Sequence, residues 1–178
     1  MPDATFSPMP PFHVKVEGES LTIPSRIYNG APPAESVRAL TATQQTILHC
    51  LYTRHHDGRV RQDHLEQITR CDKPWVVPFV VQLSGEYVVE ILESISRGLP
   101  GLTVPHSAQR RLYGDFITQN PAFFARTQRR AVSYWSCYYR RKYPWFDEYP
   151  GSPLMEAFRS AASEQSGRVT PRHTPRAW

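Results

Sequence analysis

Proline placement limits what this chain can fold into more than any other feature. Of its 17 prolines, eight fall in three groups outside the main body: Pro2, Pro8, Pro10 and Pro11 at the start, Pro32 and Pro33 after a first short segment, and Pro171 and Pro175 near the finish. Proline fixes φ and lacks a backbone donor, so neither a helix interior nor an inner strand runs through such clusters. Regular structure is confined to the intervening stretch, which is also richer in apolar and aromatic residues. We therefore expect a disordered segment over 1–11 and one folded domain over 12–158. That domain divides into a hairpin at 12–28, a linker at 29–40 and helices thereafter, and a disordered tail covers 159–178.

Within the domain, Phe12-His13-Val14-Lys15-Val16 alternates apolar and polar residues, and Leu21-Thr22-Ile23 does the same beyond Glu17-Gly18-Glu19-Ser20. Period-two alternation on both sides of a glycine-containing connection predicts a β-hairpin. A lone hairpin needs a surface to dock on, and Ile27 and Tyr28 are the candidates to pin it. After the linker the period changes to that of helices. Thr41 and Gln44 have capping-box spacing ahead of Ile47, Leu48, Leu51 and Tyr52, and Gly58 closes that helix.

A second helix follows over 61–70. A third is capped by Asp72 and runs to Leu83 with Trp75, Val76, Phe79 and Val80, which makes it apolar on most sides and therefore central. A fourth covers 86–97 with Val88, Ile91, Leu92 and Ile95 facing inward. Ser107 starts a fifth, burying Leu112, Tyr113, Phe116 and Ile117. Asn120-Pro121 starts a sixth that reaches Arg141, with a break near Thr127, and a short helix covers 154–160. The fold class is mainly α: an irregular bundle or short α-solenoid of about six helices with an N-terminal β-hairpin.

Superposing Gly58 to Ile68 on Gly85 to Ile95, an offset of 27, aligns the glycines and a Leu-Glu-x-Ile run. Each copy is the second member of a helix pair entered through glycine. With Asp57-Gly58-Arg59-Val60-Arg61 and the proline-containing helix before the second copy, residues 42–98 resemble a HEAT-type α-helical repeat, with a degenerate third pair over 107–141. The resemblance implies a scaffold that presents a surface to a partner, and it implies no chemistry.

No apolar run approaches the ~20 residues that span a bilayer, and the N-terminus lacks a signal-peptide layout, so no membrane contact is expected. Cys50, Cys71 and Cys137 are odd in number and far apart, which predicts buried or half-buried free thiols in a cytoplasmic protein. The formal charge of +5 is carried by 18 arginines and only three lysines. That bias weakens an immediate nucleic-acid reading, since arginine-rich coding alone produces it.

Several local patterns invite chemistry. His55-His56-Asp57-Gly58 between two helices resembles the calcium loop of an EF-hand, with Thr53, His55, Asp57 and His64 at ligand positions. Only Asp57 supplies the charged oxygen that calcium requires there. His55, Asp57 and His64 form a set that a softer metal would accept, though the run reads equally as a helix-ending loop with solvated imidazoles, and no metal or other cofactor is expected. The same helix–turn–helix opens many winged-helix domains, but the reading helix would then be the apolar 75–83, which has no groove-facing basic residue. Glu86 and Glu90, four apart, read as one exposed helix face. No GxSxG, glycine-rich phosphate loop or HExxH occurs, so the chain reads as non-catalytic.

The segment from Ser107 to Lys142 is different. It carries a charge of +7, with Asp115 its lone acid, and leaves the rest of the chain at −2. Phe124, Val132, Trp135 and Tyr139 recur at helical spacing as a buried stripe. The remaining face presents Arg126, Arg129, Arg130, Arg140, Arg141 and Lys142 as the candidate partner- or phosphate-binding residues, beside Tyr134 and Tyr138. An interaction scaffold aimed at an acidic protein is the first expectation. A nucleic-acid binder using arginines on phosphates and tyrosines on bases is the alternative.

Overall fold

Val16 pairs with Glu19 as the last step of an antiparallel ladder that begins with Phe12 opposite Ile23. Only Glu17 and Gly18 therefore make the turn, and both have positive φ (52° and 87°), which gives a type I′ hairpin matched to strand twist. Its strands are β1 (Phe12–Val16) and β2 (Glu19–Ile23). Phe12, Val14 and Ile23 point inward and are buried, and Phe12 stacks on Phe123 at 5.4 Å. The computed structural model describes residues 10–175.

Among the described residues, the rest of the regular structure is helical: α1 (Ala34–Arg38), α2 (Ala42–Tyr52), α3 (Gly58–Glu66), α4 (Val77–Leu83), α5 (Val89–Gly98), α6 (Ala108–Gln119), α7 (Pro121–Tyr134) and α8 (Gly151–Ser166). The class is mainly α with an N-terminal hairpin, as the sequence patterns indicate. The capping box at Thr41 and Gln44 forms at the start of α2, and Ser107 caps α6 through the Arg110 amide. α4 has every residue buried and occupies the centre. Ile91, Leu92 and Ile95 of α5 pack there too, and α3 lies against α5.

Local differences from the sequence expectations have identifiable causes. α1 forms inside the expected linker and buries no residue, so no apolar stripe announced it. Gly58 does not close α2, which ends at Tyr52, but opens α3, where Asp57 is the cap, its carboxylate accepting from the Arg59 amide at 2.8 Å. Lys73, not Asp72, precedes the 3₁₀ turn Pro74–Val76 that leads into α4. Thr127 does not interrupt α7; its hydroxyl bonds back to the Phe123 carbonyl and the helix continues. Ile27 pins the segment after the hairpin by backbone hydrogen bonds to Arg54 and His56, whereas Tyr28 stays exposed against the His56 ring.

Asn120 precedes Pro121 as expected, yet its side chain caps nothing in α7. Its amide oxygen accepts from the Lys15 amide at 2.7 Å and its nitrogen donates to the Lys15 carbonyl at 2.8 Å. It thus supplies the hydrogen bonds that a neighbouring strand would give β1.

The last helix runs well past the expected 154–160. Leu154, Met155, Phe158, Ala161 and Ala162 form its buried face, and its most extensive contact is with α6. The two helices approach closely at Gly114, where an added Cβ would lie 2.6 Å from the Ala161 carbonyl oxygen. Gly167, at φ 65°, then turns the chain back across α8. No helix among the described residues is long and apolar enough to cross a membrane. Of the three free thiols, Cys50 is buried and Cys71 half-buried, but Cys137 is exposed, since it lies on the outer side of the turn that follows α7.

Candidate functional site

Helix α7 organises the basic segment. A spacing of four places Arg126, Arg130 and Tyr134 along one stripe, while Phe123, Phe124, Thr127, Gln128 and Ala131 form the opposite, buried side. Beyond Tyr134 the helix widens into a π turn over Trp135–Tyr139. Trp135 stays buried there and donates its indole N–H to the Tyr143 carbonyl at 2.8 Å. Tyr138 turns outward and is 68% exposed.

The loop between α4 and α5 lies against this helix. Gly85 sits so close to Thr127 that an added Cβ would fall 3.1 Å from its side chain and its carbonyl. From this loop two consecutive side chains go opposite ways. Glu86 points in and is 0% exposed; Tyr87 points out and is 43% exposed. The outward ring joins Tyr134 (centroids 5.5 Å apart) and Tyr138 (5.9 Å), and those two lie 6.1 Å from each other. The Tyr139 hydroxyl fixes the loop by donating to the Tyr87 carbonyl at 2.6 Å.

The inward carboxylate is the hub of four guanidiniums from four parts of the chain. Arg26, just after β2, donates to both Glu86 oxygens at 3.1 and 3.2 Å. Arg130 of α7 lies at 3.5 Å, Arg61 of α3 at 3.8 Å and Arg54, just after α2, at 4.0 Å. Burial works against the charge on Glu86, but Arg26, Arg130 and Arg61 outweigh it and hold the carboxyl below the usual range. On Arg54 burial is the largest influence and pushes that guanidinium down to about 9; Glu86 opposes the fall, and the neighbouring arginines add to it.

Arg54 and Arg61 also serve the loops around them. Arg54 donates to the Pro24 and Ser25 carbonyls, and Arg61 to those of His55 and His56 at 2.9 Å each. Arg54 Nη1, Arg61 Nε and Arg61 Nη2 are buried with no hydrogen-bond partner among the described residues. A buried carboxylate facing four cations is a position where loss of the single anion costs far more than the pair contributes, about 3–5 kcal/mol for an ordinary buried pair.

The expected face of six basic residues is therefore not uniform. Arg130 belongs to the hub and also lies over the Tyr134 ring, 5.9 Å from its centroid. Arg126 borders a groove with His13 and Lys15 of the hairpin. Arg140 lies 5.6 Å from the centroid of Trp135, and Lys142 lies 5.1 Å from that of Tyr143. Arg126, Arg129, Arg140, Arg141 and Lys142 are exposed, and none forms an ion pair among the described residues.

The four-residue spacing of Glu86 and Glu90 predicts one exposed helix face, and the structure corrects this. α5 begins only at Val89, so the two carboxylates do not share a helix. The signal that locates Glu86 was present in the Ser84-Gly85 break just before it, which takes the residue off the helix and into the loop.

The histidine set is also dispersed. His55 bonds the Asn29 carbonyl, Asp57 caps α3, and His64 instead meets His49, with Nδ1 to Nδ1 at 2.8 Å. Among the described residues no group of three or more His, Cys, Asp or Glu side chains is placed to hold a metal ion. No protein-family model, curated protein or solved structure matches the chain.

Proposed function

We propose that this is a non-catalytic, cytoplasmic, HEAT-like helical interaction protein that receives an acidic protein partner on the outer face of α7 and the turn that follows it. The observation that carries this reading is the set of five exposed cations between residues 126 and 142 that form no ion pair among the described residues. Only Asp115 offers opposite charge within the whole basic segment. The Arg140 guanidinium lies over the Trp135 ring and the Lys142 ammonium over that of Tyr143, while both side chains stay exposed to a partner. The hub beneath fixes α7 against four other parts of the chain, so the face is presented on a rigid support. The half-buried free Cys71 and exposed free Cys137 suit a reducing compartment.

A second reading has its own support in the mutually packed rings of Tyr87, Tyr134 and Tyr138, which offer stacking area for nucleic-acid bases beside the same arginines. One experiment separates the two. A fluorescein-labelled glutamate-rich peptide and a labelled random single-stranded oligonucleotide are titrated at about 50 mM and about 200 mM salt. The acidic-partner reading expects the peptide to bind and the triple change Arg126→Glu, Arg129→Glu and Arg141→Glu to abolish it. Oligonucleotide binding that exceeds peptide binding and falls with Tyr138→Ala transfers the conclusion to nucleic acid. Absence of both at low salt removes the proposed function. Arg130 is left intact, because its change would disturb the hub as well as the face.

A further inference from the structure

Residues 168–175 run over α7 and α8 in a manner unlike the rest of the chain. The segment is held by its backbone. Gln128 of α7 uses both ends of its carboxamide on it: Nε2 donates to the Pro171 carbonyl at 3.3 Å, and Oε1 accepts from the His173 amide at 3.0 Å. The Thr170 amide donates to Ser163 Oγ at 2.9 Å, and the Thr170 carbonyl accepts from Arg159 at 3.3 Å. One side chain alone is read by charge, Arg172, whose guanidinium meets Glu156 at 2.6 Å. The segment's other side chains add little burial. Val169 is 84% exposed, and Pro171, His173 and Pro175 are exposed too.

Such a segment contributes almost nothing to the core. Its net hold is a few hydrogen bonds and one half-exposed ion pair, each of the same order as the conformational entropy lost in ordering a residue. It stands near the balance between bound and free. Gln128, in contrast, is 1% exposed, and among the described residues its carboxamide finds its hydrogen-bond partners only on this segment. When the segment lifts, that carboxamide presents one donor and one acceptor at the spacing of an extended chain, which any other extended backbone satisfies equally.

At its far end the segment reaches a cleft of about 400 Å³ whose walls include Trp135, Pro144, Trp145 and Phe146, with Pro175 itself among them. Indole walls of this kind receive the rings of an extended, proline-bearing chain, which arrives already stiff and loses little freedom on binding.

We propose that Gln128, Glu156, Arg159, Ser163 and the Trp135–Trp145 cleft form a binding groove for an extended, proline-containing segment of a partner protein that carries a basic residue opposite Glu156. The chain's own residues 168–175 fill the groove in cis as a displaceable strap. This groove borders the arginine face at Arg140, which also lines the cleft, and its existence does not depend on what that face binds.

The test uses a fluorescein-labelled peptide with the sequence of residues 168–175 as the probe, titrated into the full chain. The intact protein binds it weakly, because the tethered copy competes at high effective concentration. Arg172→Glu, which sets the strap against Glu156, tightens peptide binding by at least about tenfold. Adding Gln128→Ala to that variant removes the gain. A strap variant that binds no better than the intact protein overturns the proposal. Hydrogen exchange on the unaltered protein guards against a Gln128 variant that misfolds. The Thr170 and His173 amides exchange at least about a hundredfold faster than the buried amides of α7. Equal protection of the two shows the strap to be a fixed part of the fold, and the groove reading fails.

Discussion

Two sets of arginines meet on α7, and the contrast between them shows what burial does to one residue type. Arg130 shares Glu86 with Arg26, Arg54 and Arg61, its position dictated by a carboxylate with no access to water. Arg129, its immediate neighbour in sequence, is exposed and unpaired among the described residues. In sequence they are the same letter twice. A guanidinium beside a buried anion helps hold five chain segments together, whereas one surrounded by water contributes little to stability and remains available for a partner.

The sharpest way to break this contrast is to remove the anion. Glu86→Gln leaves four guanidiniums facing a neutral amide, and we expect a loss of about 3–5 kcal/mol in urea unfolding. Pairing it with Arg61→Met should restore part of that loss by removing one uncompensated buried cation. Full stability in the single variant would show that the hub is not a structural centre.

Acid offers a reversible version. Glu86 is held below the ordinary carboxylate value of 4.5, so the folded state binds its proton less readily than the unfolded chain does. Its contribution is complete above pH 4.5 and is lost as pH falls through the depressed folded value. Unfolding midpoints followed from pH 6 to 3 should therefore fall more steeply in the native protein than in Glu86→Gln.

A smaller effect divides the adjacent pair. Arg130→Ala should cost about 1–2 kcal/mol through its lost bond to a buried charge, and Arg129→Ala should stay within about 0.5 kcal/mol. Equal losses would erase the distinction between hub and face.

The smallest effect comes from the half-buried imidazole pair. Burial lowers both His49 and His64, and for His64 the neighbouring His49 adds to the fall while Asp63 opposes it. Their neutral forms are favoured in the folded state, so stability should decline slightly as pH drops below 6.5, the ordinary value. His49→Gln with His64→Gln should flatten that part of the pH profile.

What the sequence disclosed follows the range of the forces involved. The hairpin was readable because Val14 and Leu21 alternate with polar neighbours around Gly18, and α2 because Thr41 and Gln44 complete each other three residues apart. The central place of α4 was readable from Val76, Phe79, Val80 and Leu83. All of these depend on neighbours in the chain. The hub joins residues 26, 54, 61, 86 and 130, and no local period records that meeting. The acidic spacing of Glu86 and Glu90 even suggested the wrong face. The strap is invisible for another reason: it is held through backbone groups that every residue carries, so Thr170 to Pro175 show no pattern of their own. Of the six basic residues singled out, five are exposed, and Arg130 pairs with Glu86, 44 positions away in the chain, which no local pattern foretells.

The wide turn at Trp135–Tyr139 acts as a phase shifter. One extra residue in a helical turn rotates everything after it by about 100° relative to a continuous α-helix. Upstream of it, the register is set by a core that keeps Phe124 and Ala131 inside. Downstream, the register serves the surface, carrying Tyr138 out beside Tyr87 and delivering Arg140 onto the back of the Trp135 ring. A single-residue deletion in that turn would bring the two registers back into step, turning Tyr138 toward a core with no room for it. The length of this segment is thus itself a specification: here the count of residues, as much as their identity, decides which rings and charges the molecule shows to the outside.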